Sequence, residues 1–176
     1  MDPELAPKAH GGPADPYITR VAVTIVILAA LAAAAGSLAT LESSWAMSES
    51  SRAVVAQDRA TNAWNEYQAA TLKRHMDDIA TENGSSHFYR DSQNERAAGD
   101  KAWHEATDAE RERDTRLRTS SAHERHAGWL TGAATLAQIA VVLSAIAIIT
   151  RRRYFWFTAV GLGVIGMLLF GAAYAI

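Results

Sequence analysis

The chain contains no cysteine, which excludes disulfides, thiolate metal sites, iron-sulfur clusters and a cysteine nucleophile in any compartment. Proline is nearly as scarce: all four (Pro3, Pro7, Pro13 and Pro16) fall at the very start, beside Gly11 and Gly12. Residues 1–16 therefore read as a flexible leader, and nothing downstream forces a helix to break or kink. An excess of positive charge is also missing, with 17 Lys+Arg against 19 Asp+Glu and a formal net charge of -2. The arginines are interleaved with acids, so the broad basic field of a nucleic-acid binder is absent. What the chain does have is segregation. Hydrophobic residues make up 49% and charged residues 20% of it, yet the stretches long enough to cross a bilayer are almost free of charge, which excludes a simple soluble globule.

Three such stretches are present. The first, residues 17–41, has one charge, Arg20, at its entrance beside Tyr17, as suits an interfacial anchor. A signal peptide has the same outline, small residues at Ser37 and Ala39 included; we read the segment as a retained span. The second covers residues 128–150, headed by Trp129, and the third residues 154–176, in which Trp156 belongs to an aromatic girdle. Between them stands a basic turn, Arg151, Arg152 and Arg153. An arginine at a helix centre costs about 2.5 to 3.5 kcal/mol on insertion, so three together hold this turn outside the hydrocarbon. By the positive-inside rule the turn and the N-terminus are cytoplasmic, and residues 42–127 lie on the opposite side of a plasma membrane.

That polar middle, rich in Ala, Glu, Gln and Arg and without proline or alternating apolar residues, is expected to be helical. The run Glu82, Asn83, Gly84, Ser85, Ser86 supplies left-handed and capping residues at its midpoint, dividing it into two nearly equal arms of an antiparallel hairpin. A heptad started at Leu41 puts Ser48, Val55, Asn62, Ala69 and Met76 at one core position and Ser44, Ser51, Asp58, Asn65, Leu72 and Ile79 at the other. The seam so drawn is apolar only at its distal end. In the second arm Trp103, Ala106 and Leu117 are the main apolar contacts, and Glu112 with Arg116 and Asp114 with Arg118 are spaced for i,i+4 pairs. A stalk so thinly buried is expected to be completed by copies of itself or by other subunits.

Among the motifs, Gly161, Gly163 and Gly166 match the dinucleotide spacing, but inside an apolar span they read as surfaces where helices approach closely, like Gly128 with Gly132 and Gly166 with Gly171. Gln138 is the one amide in the spans and should seek a partner across a helix interface. All six histidines lie outside the spans, so histidine ligation of haem within the membrane is excluded. His123 and His126, at i,i+3, share a face near the membrane surface, with Glu124 nearby; solvated, pH-sensitive side chains suit them better than a metal site. The dense patch containing Asn62, Trp64, Tyr67 and Gln68 reads as a packing knot or a partner epitope.

At this patch the sequence resembles a bacterial membrane family known as domain of unknown function 4337, whose members combine an Asn-x-Trp stretch with Tyr-Gln-Ala; here the matching residues are Asn62, Trp64, Tyr67, Gln68 and Ala69. The run from Leu136 to Ile146, then Thr150, Arg151, Arg152, Arg153 and the aromatic girdle, looks like that family's closing spans. Thr71, Leu72 and Lys73 depart from its pattern. The resemblance implies the architecture and a bacterial inner membrane, and no activity.

The expectation is an all-α protein of three transmembrane helices with a long, coiled-coil-like helical hairpin. Its function is read as that of a non-catalytic structural or accessory subunit of a homo- or hetero-oligomeric membrane complex. The alternative is a homo-oligomeric channel with the second span lining the pore. No catalytic, cofactor or metal residues are expected; the partners are the lipid bilayer and copies of the chain or other subunits.

Overall fold

A computed structural model of the chain describes residues 16–82 and 87–175. They form three helices, α1 (Pro16–Glu82), α2 (His87–Thr150) and α3 (Arg153–Ala172), with no strand among the described residues. Each is long and apolar enough to cross a membrane, and the expected all-α architecture is what the chain adopts. Pro16, with its fixed φ and no N–H to satisfy, opens α1 where a proline is best tolerated. The expected leader and the Asn-Gly-Ser-Ser turn at 83–86 lie outside the described residues. The helix boundaries at Glu82 and His87 nevertheless fall on either side of that turn. Two units divide the chain: Glu42–Arg125, and a second built from α1 up to Leu41, α2 from His126, and α3.

Within Glu42–Arg125 the arms of α1 and α2 run antiparallel. Ser92 hydrogen-bonds Asp78, Lys73 pairs with Glu95 at 3.6 Å, Trp64 reaches Glu110, Arg116 reaches Glu49, and Ser120 donates to the Ala46 carbonyl at 2.9 Å. The seam differs from the one drawn from Leu41. Ala46, Ala53, Ala56, Ala60, Ala63 and Ala70 are buried on α1, and Ser92, Gly99, Ala102, Ala106, Ala109 and Ser120 on α2. Both series step by three and four residues, a heptad built from the smallest side chains. Val55, Leu72, Met76 and Ile79 are each more than half exposed, on a face turned roughly 150° around α1 from the alanine seam. Small residues win the seam because they let two helix backbones approach closely. Polar side chains from both arms then close over it, with larger residues held at the margins.

The second unit follows the same rule. Its core is three stacked clusters: Leu28 with Ala140 and Ala159; Ala35 with Ala133 and Ala134; and Ala39 with Leu130 and Ala173. The large apolar side chains Val26, Ile27, Val142, Ile149 and Leu168 point outward. Small residues inside and large apolar residues outside suit helices surrounded by hydrocarbon, where only close contact and not apolar burial draws helices together. Connecting α2 to α3 are just Arg151 and Arg152. Arg153, expected in the turn, is the first residue of α3. Arg151 takes φ 51°, a left-handed conformation that costs a side-chain-bearing residue roughly 1 to 2 kcal/mol. At the other end α3 stops at Ala172, short of the expected 176, and its last turns tighten through Tyr174 N–H to the Gly171 carbonyl at 3.2 Å and Ala175 N–H to the Ala172 carbonyl at 3.1 Å.

Candidate functional site

The residues singled out along the chain separate into three places. On the hairpin, the dense patch splits in two. Trp64 and Tyr67 lie toward the seam. Trp64 donates its indole N–H to Glu110 Oε1 at 2.9 Å, and its ring meets that of Tyr67 edge to face at 5.7 Å. Tyr67 also borders Gly99, where an added Cβ would lie 3.8 Å from the Tyr67 ring and 3.7 Å from Ala70 Cβ. Asn62 and Gln68 are exposed on the outer side of α1 with Asn65, and among the described residues their side chains contact no polar partner. The packing contact expected of the patch is thus made by Trp64 and Tyr67, while Asn62 and Gln68 take no part in it.

Below this patch, polar clasps secure the seam. Arg116 bridges Glu49 at 3.1 Å and Glu112 at 3.4 Å. Hydrogen bonding with Glu49 and then its charge raise the guanidinium pKa above its ordinary value; desolvation opposes them, and the pairing with Glu112 adds the smallest contribution. Arg113 reaches Gln57 Oε1 at 2.6 Å and Asp114 at 2.8 Å, so the expected pair of Asp114 with Arg118 is replaced by one with its neighbour. His123 Nδ1 donates to Glu42 Oε2 at 2.6 Å, and its ring meets Trp45 edge on at 5.6 Å. His123 is therefore held by the other arm and not grouped with His126 and Glu124. Among the described residues no cluster of three metal-ligating side chains occurs. Glu42, Glu49 and Glu110 were the partners that sequence reasoning missed: one turn pattern places them on α1 or α2, but their distant partners follow only from the hairpin register.

In the second unit, four of the expected membrane anchors converge. Tyr17, Arg20, Arg153 and Trp156, with Pro16 and Phe157, line a cleft of about 320 Å³. Trp156 is oriented there by its indole N–H, which donates to Thr24 Oγ1 at 3.3 Å. The N-cap of α3, Arg152, makes no side-chain capping hydrogen bond. Among the described residues neither Arg20 nor Arg153 forms a side-chain hydrogen bond or ion pair, and none of those lining the cleft is a carboxylate. Trp129, Arg151 and Arg152 are exposed and lie outside it.

The third place is an open groove of about 460 Å³ lined by Ala29, Ala32, Ala33, Gln138, Val141 and Val142. Gln138 is exposed in it, and its amide has no side-chain partner among the described residues. The glycines behave unevenly. Gly163 and Gly166 are buried; a Cβ on Gly163 would overlap Leu28 Cδ2, and one on Gly166 would lie 3.2 Å from the Ala133 carbonyl oxygen. Gly161, Gly128 and Gly171 face open space, and Gly132 has only Leu169 nearby, at 3.8 Å. Close helix approach is thus the role of two glycines of α3.

No curated protein and no solved structure matches the chain. One family model does, over residues 17–176, which takes in all three helices except Pro16 and both units; the chain belongs to the family described as domain of unknown function (DUF4337).

Proposed function

We propose that the chain is a non-catalytic integral membrane protein that serves as a structural or accessory subunit of an oligomeric complex, made with copies of itself or with other membrane subunits. The observation that carries this reading is the outward face of α1. Val55, Leu72, Met76 and Ile79 keep heptad spacing on the side away from the alanine seam, joined by uncharged Asn62, Asn65 and Ala69 and interrupted by a single charge, Asp58. The outer face of α2 carries Arg90, Lys101, Asp108, Arg111 and Arg118 instead. A helix already paired on one face, with a second heptad carrying a single charge on another, suits a neighbouring helix. Gln138 adds to this, since an amide exposed in a span gains about 0.6 to 2 kcal/mol by meeting a polar group on another helix. By the positive-inside rule the Arg151–Arg152 turn is cytoplasmic and the hairpin lies across the membrane from it.

The absence of cysteine makes the test direct. Single substitutions Val55→Cys, Asn62→Cys and Met76→Cys should each give disulfide-linked dimers on mild oxidation in native membranes, while Thr115→Cys on the outer side of α2 should not. Equal cross-linking at all four positions, or none at any, removes the α1 face as a self-contact; retention of no other protein in a mild-detergent pull-down then removes the subunit reading as well. Labelling the same variants with a membrane-impermeant maleimide reports sidedness.

The alternative, a homo-oligomeric channel with Gln138 as a polar ring, draws support from the exposure of that amide. The remaining lining of its groove is alanine and valine, which suits a helix contact better than a path for water. Ion flux through reconstituted protein that Gln138→Leu abolishes would favour the channel.

A further inference from the structure

In the hairpin, several arginines find acids. Arg52 pairs with Glu49, Arg59 with Glu112, Arg111 with Asp108 and Arg116 with Glu49. In the cleft at the end of the other unit, two guanidiniums near the N-terminal ends of two different helices face one space of about 320 Å³, with no carboxylate among the described residues of its lining. That volume is in the range of small-ligand sites. Two planar forks with five donors each, unspent on acceptors among the described residues, match the oxygens of a phosphate.

The walls narrow the ligand further. Tyr17, Trp156 and Phe157 supply apolar surface beside the guanidiniums, and the Trp156 ring is held in place through Thr24. Past Arg20, α1 carries no charge as far as Leu41, and past Phe157, α3 carries none. A ligand seated here has its anionic end against the arginines and whatever follows it beside hydrocarbon-compatible side chains, the arrangement of a lipid head group at an interface.

We propose that the cleft between Arg20 and Arg153 binds a phosphate ester, either the head group of an anionic phospholipid or a soluble phosphate compound. The lipid source rests on the membrane reading above; the phosphate chemistry does not, and neither depends on self-association. A chain that fails every cysteine cross-link can still bind here.

The test uses full-length protein in a neutral maltoside detergent, with binding read by native mass spectrometry. The probes are dioctanoyl-phosphatidylglycerol, dioctanoyl-phosphatidylcholine and inorganic phosphate. Phosphatidylglycerol should bind about tenfold or more tighter than phosphatidylcholine, and Arg20→Gln with Arg153→Gln should remove that preference. The paired variant Arg151→Gln with Arg152→Gln removes equal charge from residues outside the cleft and should retain it. Excess inorganic phosphate that fails to displace phosphatidylglycerol identifies the lipid as ligand; displacement, also lost in the Arg20/Arg153 variant, identifies a soluble phosphate. The proposal is overturned if neither probe binds in preference to phosphatidylcholine, or if the two double variants weaken binding equally.

Discussion

Trp64 and Glu110, separated by 46 positions in the chain, share a 2.9 Å hydrogen bond between indole N–H and carboxylate at the side of the hairpin seam. Slipping α2 along α1 would part them and leave a half-buried indole donor without its acceptor, so the bond helps to hold the register of the arms. Trp64→Phe keeps the ring and loses the donor. It should lower the stability of the hairpin by about 1 kcal/mol, seen as an earlier thermal transition by circular dichroism; a melting curve equal to wild type would deny the bond this role.

The alanine seam makes an inverted forecast. Ala60 is fully buried, so Ala60→Leu should overpack the contact and destabilise the hairpin by about 1 to 3 kcal/mol. Leu72, 64% exposed on the opposite face, should tolerate Leu72→Ser in detergent within about 0.5 kcal/mol. Thermal melts of the two variants in parallel decide it, and a larger loss at Leu72 than at Ala60 would mean the seam is wrongly placed.

Glycines should respond according to what surrounds them. At Gly99 a methyl meets Ala70 and Tyr67 at ordinary contact distance, and helix propensity then favours Gly99→Ala by about 0.8 kcal/mol. Gly166→Ala must push against the Ala133 backbone oxygen and should destabilise the three-helix unit. Gly161→Ala, in open space, serves as the control. Melting temperatures that rise for Gly166→Ala would refute the close approach.

Arg151 pays for its positive φ. Arg151→Gly should raise stability by about 1 kcal/mol, while Arg152→Gly, at an extended residue, should bring no gain. Unfolding of both variants followed in the same detergent compares them directly.

Arg116 has a raised pKa, chiefly through Glu49. The stability such a cation contributes is present at every pH below its unfolded-state value and is lost only as pH rises through the higher folded-state one, in strong alkali. The difference in melting temperature between wild type and Arg116→Met should therefore stay constant from about pH 6 to about pH 10. A difference that fades within that window would assign the effect to another group.

The patch residues show how far a linear reading carried. Trp64 and Tyr67 stood out because a Trp and a Tyr three residues apart sit among several amides, and both serve the packing of the hairpin. Glu110 could not have been chosen from among its acidic neighbours Glu105, Asp108 and Glu112, because the selection is made by which one the opposite arm brings within 3 Å of the indole. Likewise Tyr17, Arg20, Arg153 and Trp156 were each readable as interfacial anchors, whereas their meeting around one cleft requires α1 and α3 to lie side by side.

From residue order alone came the helices, their near-uniform charge segregation, the break flanked by Glu82 and His87, and three stretches apolar enough for a bilayer. These are local properties: proline placement, turn chemistry and mean apolarity act within a few residues. Which faces meet was settled only in three dimensions. A periodicity that weighs side chains by hydrophobicity selects Val55, Leu72 and Met76 over alanine, yet two long helices gain most where their backbones come closest. Alanine, glycine and serine permit that approach, and the larger apolar residues are displaced outward toward whatever surrounds the protein.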